Sequence, residues 1–350
     1  MNLDDVAAMS KVDRSGMLAV MGRTPERLAP PSDAQSTFGE RLEKPDNLVF
    51  GGVGGSGIIG DIITDYLRGV VDIPVSVCRS IEIPAYVGKR TLFVAISYSG
   101  ETPETLALLE QAVRKRATVV SVGSGGKLLE KSKQRKLGYV KVQEGLLPRV
   151  ALPELLAATI FVMGSAGLIK DMGKLLRDSA QTVRGQIREI RPSVAVGENR
   201  AKQTSKALLG KLPLLLGSED TGSVLRRFKN ELNENSKMPA FYYPLPEGYH
   251  DDVEGVKMLT KVSHPQPIFL RDKEESDGQR RTRERLYSLF TELGVHTVLE
   301  IEGMGQNKLQ RLLTAVMLGD YVSVYLALLR GVDPSELTLI PRFREAMRGG

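Results

Sequence analysis

The sequence predicts an α/β protein made of two doubly wound, parallel-sheet units joined by a helical connection. Three observations carry that reading. Apolar runs such as "NLVFGG", "TLFVAIS" and "TVVSVGS" alternate with stretches of helical periodicity from residue 45 onward. A later stretch, "LPLLLGSEDTGSVLRRFKNEL", repeats the strand–loop–helix layout of "NLVFGGVGGSGIIGDIITDYL". Between these two regions, residues 151–211 read as helix throughout.

Residues 1–44 are mixed in character and end in the loop-like "LAPPSDAQS", so they are expected as an N-terminal extension. The first unit spans 45–150. It opens with the strand "NLVFGG" and a helix, "GIIGDIITDYLRG", closed by Gly69. Strands "IPVSVC" and "TLFVAIS" follow, then a helix over about 102–116, the strand "TVVSVGS", a short basic helix and "YVKVQ". In the connection, "LLAATIFVMGSAGLI" is apolar all round and "KLLRDSAQTVRGQIREI" is amphipathic. The second unit, 212–305, has strands "LPLLLGS", "QPIFL" and "HTVLEIEG" with helices "GSVLRRFKNELNENS" and "RTRERLYSLFTELG". A C-terminal segment, 306–350, begins with a long helix over about 306–330.

Composition narrows the function. The 350 residues are 41% hydrophobic and 26% charged, as in a globular protein, and the longest uncharged apolar run, Leu155–Ile169, is too short to span a membrane. Asp4 and Asp5 in a start lacking an apolar core argue against a secretory signal. One cysteine, Cys78, excludes an internal disulfide and fits a reducing cytoplasm. With three scattered histidines, His250, His264 and His296, no metal site is expected. A net charge of +6 favours an anionic partner. The most basic stretch, "RDKEESDGQRRTRERL", interleaves acids and lacks aromatic partners apart from Tyr287, so it reads as a solvated helix face and not as a nucleic-acid surface.

Two loops hold the chemistry. Gly52-Val53-Gly54-Gly55-Ser56-Gly57 satisfies the dinucleotide fingerprint G-x-G-x-x-G, which keeps a nicotinamide dehydrogenase open as an alternative. The acid that should follow on the second strand is replaced by Arg79. A phosphate site answers better. Ser56 in one loop and Ser97, Ser99 and Thr102 in the other offer hydroxyl donors beside helix N-termini, where the dipole favours an anion. Helix capping explains one hydroxyl per helix, not four beside glycines. Gly54, Gly55 and Tyr98 in the same loops are expected as further substrate contacts.

"GGSG" followed by "SYSGETPET" resembles the sugar-isomerase (SIS) domain, a phosphosugar-binding unit. With "LLPRVALPELL", "NELNENSK" and "LPEGYHDDVEG", residues 45–345 resemble the archaeal-type bifunctional phosphoglucose/phosphomannose isomerases. The resemblance implies two flavodoxin-like SIS subdomains, a sugar-phosphate substrate, no cofactor and a homodimer. It implies that Glu234 is the proton-shuttling base, that His250, supplied across the dimer interface, opens the sugar ring, and that Arg149 stabilises the enediolate. A family threonine before "PR", linked to the mannose epimer, is replaced by Ile340, with Thr338 two residues earlier, so glucose 6-phosphate is expected to be the better substrate. A phosphosugar-sensing SIS module without catalysis is the other alternative. It has no use for the Glu234 and His250 pair.

Overall fold

The computed structural model describes residues 1–31, 36–37 and 42–348, so part of the expected "LAPPSDAQS" loop lies outside the described residues. The chain opens with helices α1 (Val6–Val12), α2 (Met17–Gly22) and α3 (Thr24–Arg27). Next come β1 (Asn47–Gly51), α4 (Gly54–Leu67), β2 (Val75–Cys78), β3 (Thr91–Ile96) and α5 (Pro103–Arg114). They are followed by β4 (Thr118–Gly123), α6 (Gly126–Gln134) and β5 (Gly138–Lys141). Helices α7 (Leu152–Ser165), α8 (Met172–Ile190) and α9 (Arg200–Leu208) lead to β6 (Leu212–Ser218), α10 (Gly222–Glu234), β7 (Phe241–Leu245) and α11 (Asp252–Val262). The chain ends with β8 (Pro265–Arg271), α12 (Asp277–Glu292), β9 (Leu299–Glu302), α13 (Lys308–Leu329) and α14 (Leu339–Arg348).

Two compact units divide these elements. One holds residues 23–184 and 305–312, the other residues 1–22, 185–304 and 313–350. The boundaries read from the sequence at 45, 151, 212 and 306 do not coincide with this division. Residues 1–22 are part of the unit built around β6–β9, and α8 is cut at 184/185. The N-terminal residues are anchored there: Val196 N donates to the Asp4 carboxylate (2.8 Å), and Asp5 caps α1 by accepting from Ala8 N (2.9 Å).

In the first-described unit the sheet order is β2-β1-β3-β4-β5 with every pair parallel. All six residues of β3 are buried, because helices cover both faces of a central parallel strand. Val49, Phe93, Leu108, Leu109 and Leu128 share one core cluster. The order reverses between β1 and β3. The loops leaving these two strands therefore diverge and leave a crevice at the carboxyl edge, where ligands bind in open α/β sheets. This is the flavodoxin-type order and not the dinucleotide-binding one.

In the other unit the order is β7-β6-β8-β9, again parallel. Its core gathers Leu214, Leu216, Tyr243, Phe269, Leu286 and Phe290. The strand β7 was not anticipated: "FYYPL" carries Pro244, which is tolerated because β7 is an edge strand. The basic stretch is a helix face laced by ion pairs, Arg280 with Asp277 (2.6 Å) and Arg283 with Glu275 (2.9 Å). Helix α13 is long and apolar enough to cross a membrane by length and composition, yet 94% of its apolar window is buried within the protein.

Candidate active site

The loop after β1 and the loop after β3 meet at the carboxyl edge. Tyr98 N donates to the Ser56 hydroxyl (3.2 Å). The Ser97 and Thr102 hydroxyls are hydrogen bonded to each other (2.8 Å), and Gly100 N donates to Ser97 Oγ (3.1 Å). Glu101 N donates to Ser99 Oγ (3.3 Å). The four hydroxyls expected to hold phosphate are thus brought together, with Ser97 1% exposed, Ser56 and Thr102 half-buried and Ser99 open to solvent. Gly100 makes the tight passage possible. Its φ is +69°, and a Cβ there would fall 1.9 Å from the Gly125 carbonyl oxygen. Gly54 and Gly55 lie in the first turn of α4, where an added Cβ on Gly54 would meet nothing within 4 Å.

Capping does not account for these groups. Val53 and Thr102 stand at the N-cap positions of α4 and α5, and neither side chain makes a cap hydrogen bond. Helix α6 differs. The Glu101 carboxylate accepts from Lys127 N (2.9 Å) and pairs with the Lys127 ammonium (2.9 Å), so that helix start is already occupied by an anion of the protein. The amino ends of α4 and α5 lack side-chain caps, and both follow strands that flank the point where the order reverses, where an anion would be favoured. Arg79 is paired with Asp61 and donates to Gly57 O (3.3 Å), which ties it to the flank of α4.

Tyr98, expected as a substrate contact, spends its hydroxyl elsewhere. It donates to Gln143 O (3.0 Å) and accepts from Leu146 N (2.8 Å), and burial pushes its pKa up. Tyr98 is a strut from the β3 loop to the loop after β5. That second loop leads to a 3-10 turn, Pro148–Val150, which carries Arg149, itself 4% exposed. The turn abuts the first loop: a Cβ on Gly55 would lie 3.9 Å from the Arg149 Cα. Arg149 thus precedes α7 in a turn of its own, and the acid in the first turn of α7 is Glu154. Arg27 forms a two-pronged ion pair with Glu154 and donates to Val150 O, and both side chains are only 10% exposed. Sequence reading missed Arg27. Glu154, an acid within the quoted "PRVALPELL", was the available signal, since a buried carboxylate demands a cation.

In the other unit Glu234 is the last residue of α10 and is half-buried. Asn233 turns back to Lys229 O (2.7 Å), whereas Asn235 points inward. Asn235 Nδ2 donates to Glu231 Oε2 and to Ser323 Oγ, each at 2.9 Å. Glu231 pairs with Arg227 (3.0 Å), which is also gripped by Asp320 (3.0 and 2.9 Å). Burial disfavours charge on Arg227, but Asp320 and Glu231, with Glu234 adding to them, hold its pKa above the usual value.

His250 follows a 3-10 turn after β7, is exposed, and lies against Tyr249 with ring centroids 4.4 Å apart and the rings tilted by 38°. His250 N donates to Glu247 O (2.8 Å). Asp251 caps α11 through Asp252 N (2.6 Å). Burial, then Asp251 and Glu247, push the Asp252 carboxyl up, while burial and Asp252 push the Tyr243 hydroxyl to about 12. The structure does not bring His250 to Glu234 within one chain. Helix α10 runs back from the end of β6 to the start of β7, which leaves Glu234 at the amino edge of the sheet. His250 lies beyond the carboxyl end of β7. Five residues of strand put roughly 16 Å between those edges.

Thr338 is exposed and immediately precedes α14, whose second residue is Ile340. Lys237 Nζ donates both to Glu234 O (2.7 Å) and to Asp333 O (3.2 Å), so the end of α10 and the turn leading to Thr338 share one cation.

Comparison with known proteins identifies the family and the fold. The SIS domain family matches residues 41–128, and the bacterial phospho-glucose isomerase C-terminal SIS domain family matches residues 197–347. A bifunctional phosphoglucose/phosphomannose isomerase from Caldicellulosiruptor bescii is 30% identical over 301 residues, 86% of this chain and 89% of that protein. A D-glucosamine-6-phosphate 4-epimerase from Sulfolobus acidocaldarius is 27% identical over 310 residues, 87% of this chain and 90% of its own. Among solved structures, a glucose-6-phosphate isomerase like protein from Thermus thermophilus matches with a TM-score of 0.65 at 19% identity, covering 99% of each chain, and shares the fold. From the identity and coverage together, the chain belongs to the bifunctional phosphoglucose/phosphomannose isomerase family and is an isomerase.

Proposed function

We propose that the protein interconverts glucose 6-phosphate and fructose 6-phosphate, with mannose 6-phosphate as a poorer substrate. The observation that carries this is the convergence of Ser56, Ser97, Ser99 and Thr102 on a crevice faced by two helix N-termini without side-chain caps. The phosphate sits among these hydroxyls and amides, and the sugar extends from it.

Glu234 removes the proton from C1 of the open-chain ketose. The C–H electron pair forms the C1=C2 bond, and O2 takes up negative charge that Arg149 stabilises. Return of the proton to C2, with transfer of the hydroxyl proton from O1 to O2, completes the aldose. The guanidinium keeps its charge at any working pH, which suits it to an oxyanion partner. These steps use protein groups alone. His250 acts on the ring oxygen, and its place at the edge of the sheet opposite Glu234 supports its delivery from a second subunit of a homodimer. A buried, unpaired Cys78 fits work in a reducing cytoplasm.

The test is a coupled assay of fructose 6-phosphate conversion in EDTA, with mannose 6-phosphate and glucosamine 6-phosphate as further arms. Formation of glucose 6-phosphate is expected. Turnover of glucosamine 6-phosphate alone would overturn the assignment in favour of epimerisation, and binding without turnover of any sugar would favour the sensing module.

A further inference from the structure

We propose that Lys237 and Asn235 are positioning residues that fix the direction of Glu234, an inference that rests on the assignment of Glu234 as the base. The three residues after Glu234 each send a side chain to α13 or to the turn that follows it. Asn235 Nδ2 donates to Ser323 Oγ (2.9 Å), Ser236 Oγ donates to Ser323 O (2.6 Å), and Lys237 Nζ donates to Asp333 O (3.2 Å).

A helix that only had to stop needs none of this. The last carbonyls of a helix lack an internal partner, and a glycine in the left-handed region is the usual way to finish. Lys237 occupies that region, with φ +52°, although a side chain there is strained. What the lysine contributes is its ammonium, placed on Glu234 O (2.7 Å) and Asn235 O (3.3 Å). A glycine would relieve the strain and lose both bonds.

On the inner side Asn235 is bolted to a buried ion-pair lattice. Its amide reaches Glu231 Oε2 (2.9 Å), Glu231 meets Arg227 (3.0 Å), and Arg227 is held by both oxygens of Asp320. The half-exposed Glu234 therefore stands between a buried anchor on one side and a cationic clamp on the other. A base needs its carboxylate held to within a fraction of an ångström of the substrate proton, and a misplacement of about 1 Å costs on the order of 100-fold in rate.

The test is Lys237→Met, which keeps the aliphatic stem and removes the ammonium. The expected result is a kcat lower by about 10- to 100-fold, with KM for fructose 6-phosphate within about twofold of wild type. Deuterium exchange into the sugar should fall in parallel, and Lys237→Arg, which restores N–H donors to the same carbonyls, should recover most of the rate. A Met variant with wild-type kcat and exchange, or one in which KM alone rises, overturns the proposal. Glu234→Gln separates the two levels of the argument. If it still exchanges at the wild-type rate, the base assignment falls and this inference with it. If it is inert while Lys237→Met is unimpaired, only the positioning role fails. Should Lys237→Met not fold, Lys237→Gln carries the same comparison.

Discussion

The Ser56 hydroxyl accepts a 3.2 Å hydrogen bond from the Tyr98 amide, and that bond joins the loop after β1 to the loop after β3. Those loops leave the sheet on either side of the point where its strand order reverses. A bond from the chain itself thus ties the two loops together, while Ser99 in the second loop faces solvent. A bound anion would add to this network without dismantling it.

Ser99 and Ser97 should separate when each is changed to alanine. Ser99 is exposed and takes one loop amide, so Ser99→Ala should raise KM about tenfold with kcat little changed, because phosphate is gripped equally in ground and transition states. Ser97 is buried and bonds Thr102 and Gly100, so Ser97→Ala should also cost about 1–3 kcal/mol of stability in urea unfolding. Equal behaviour of the two variants would contradict the proposed division between ligand grip and loop framework.

Glu234→Gln should lower kcat by about 100- to 10,000-fold at nearly constant KM, since it keeps the shape and removes the basic lone pair. Mixing it with a His250→Ala protein then tests the subunit arrangement. If each site pairs Glu234 of one chain with His250 of the other, mixed dimers contain one site with both groups intact, and roughly a quarter of all sites recover. Mixing without any recovery would place both groups in one chain, contrary to their opposite positions on the sheet.

Replacing the apolar residue before Pro341 should change substrate choice. Ile340→Thr restores a hydroxyl at the family position and should raise kcat/KM for mannose 6-phosphate relative to glucose 6-phosphate by about tenfold, the worth of one good hydrogen bond. Equal use of both sugars by the unaltered protein would show that Thr338 or another group already fills the role.

Acid stability should depend on Glu300. Burial acts to raise its pKa, but the Tyr287 hydroxyl and the guanidinium groups of Arg271 and Arg283 more than offset that and hold it below the usual glutamate value. The charged form is therefore favoured by folding. Its contribution is complete above the unfolded-state value and is lost as pH falls through the lowered folded-state value. The stability gap between wild type and Glu300→Gln should be full and level above about pH 6 and shrink below about pH 4. A gap independent of pH would remove Glu300 from the acid response.

Much of this was legible in the sequence. Doubly covered strands such as β3 announce themselves as unbroken apolar runs, and a cluster of hydroxyls beside glycines directly after such a strand has few structural explanations. What escaped was set by distance or by weak local signal. Strand β7 carries a proline and packs only at an edge. Arg27 and Glu154 meet across 127 positions, and no local pattern joins them. Tyr98 stands in the hydroxyl-rich loop, but a phenol is long enough to bond the loop after β5, and no local pattern announces that reach. The closeness of Glu234 and His250 in sequence concealed their separation, because the strand between them carries the chain from one edge of the sheet to the other.

The chain passes between its two units at 22/23, 184/185, 304/305 and 312/313. Neither unit is a contiguous piece of polypeptide, so no single truncation yields one of them whole, and a lone protease cut leaves fragments that must stay associated. The N-terminal helices α1 and α2 complete a unit whose sheet is translated only after the other unit's strands have emerged. Assembly on the ribosome therefore has to keep residues 1–22 waiting, and a tag or fusion that buries the N-terminus intrudes on the half of the molecule that carries Glu234 and His250.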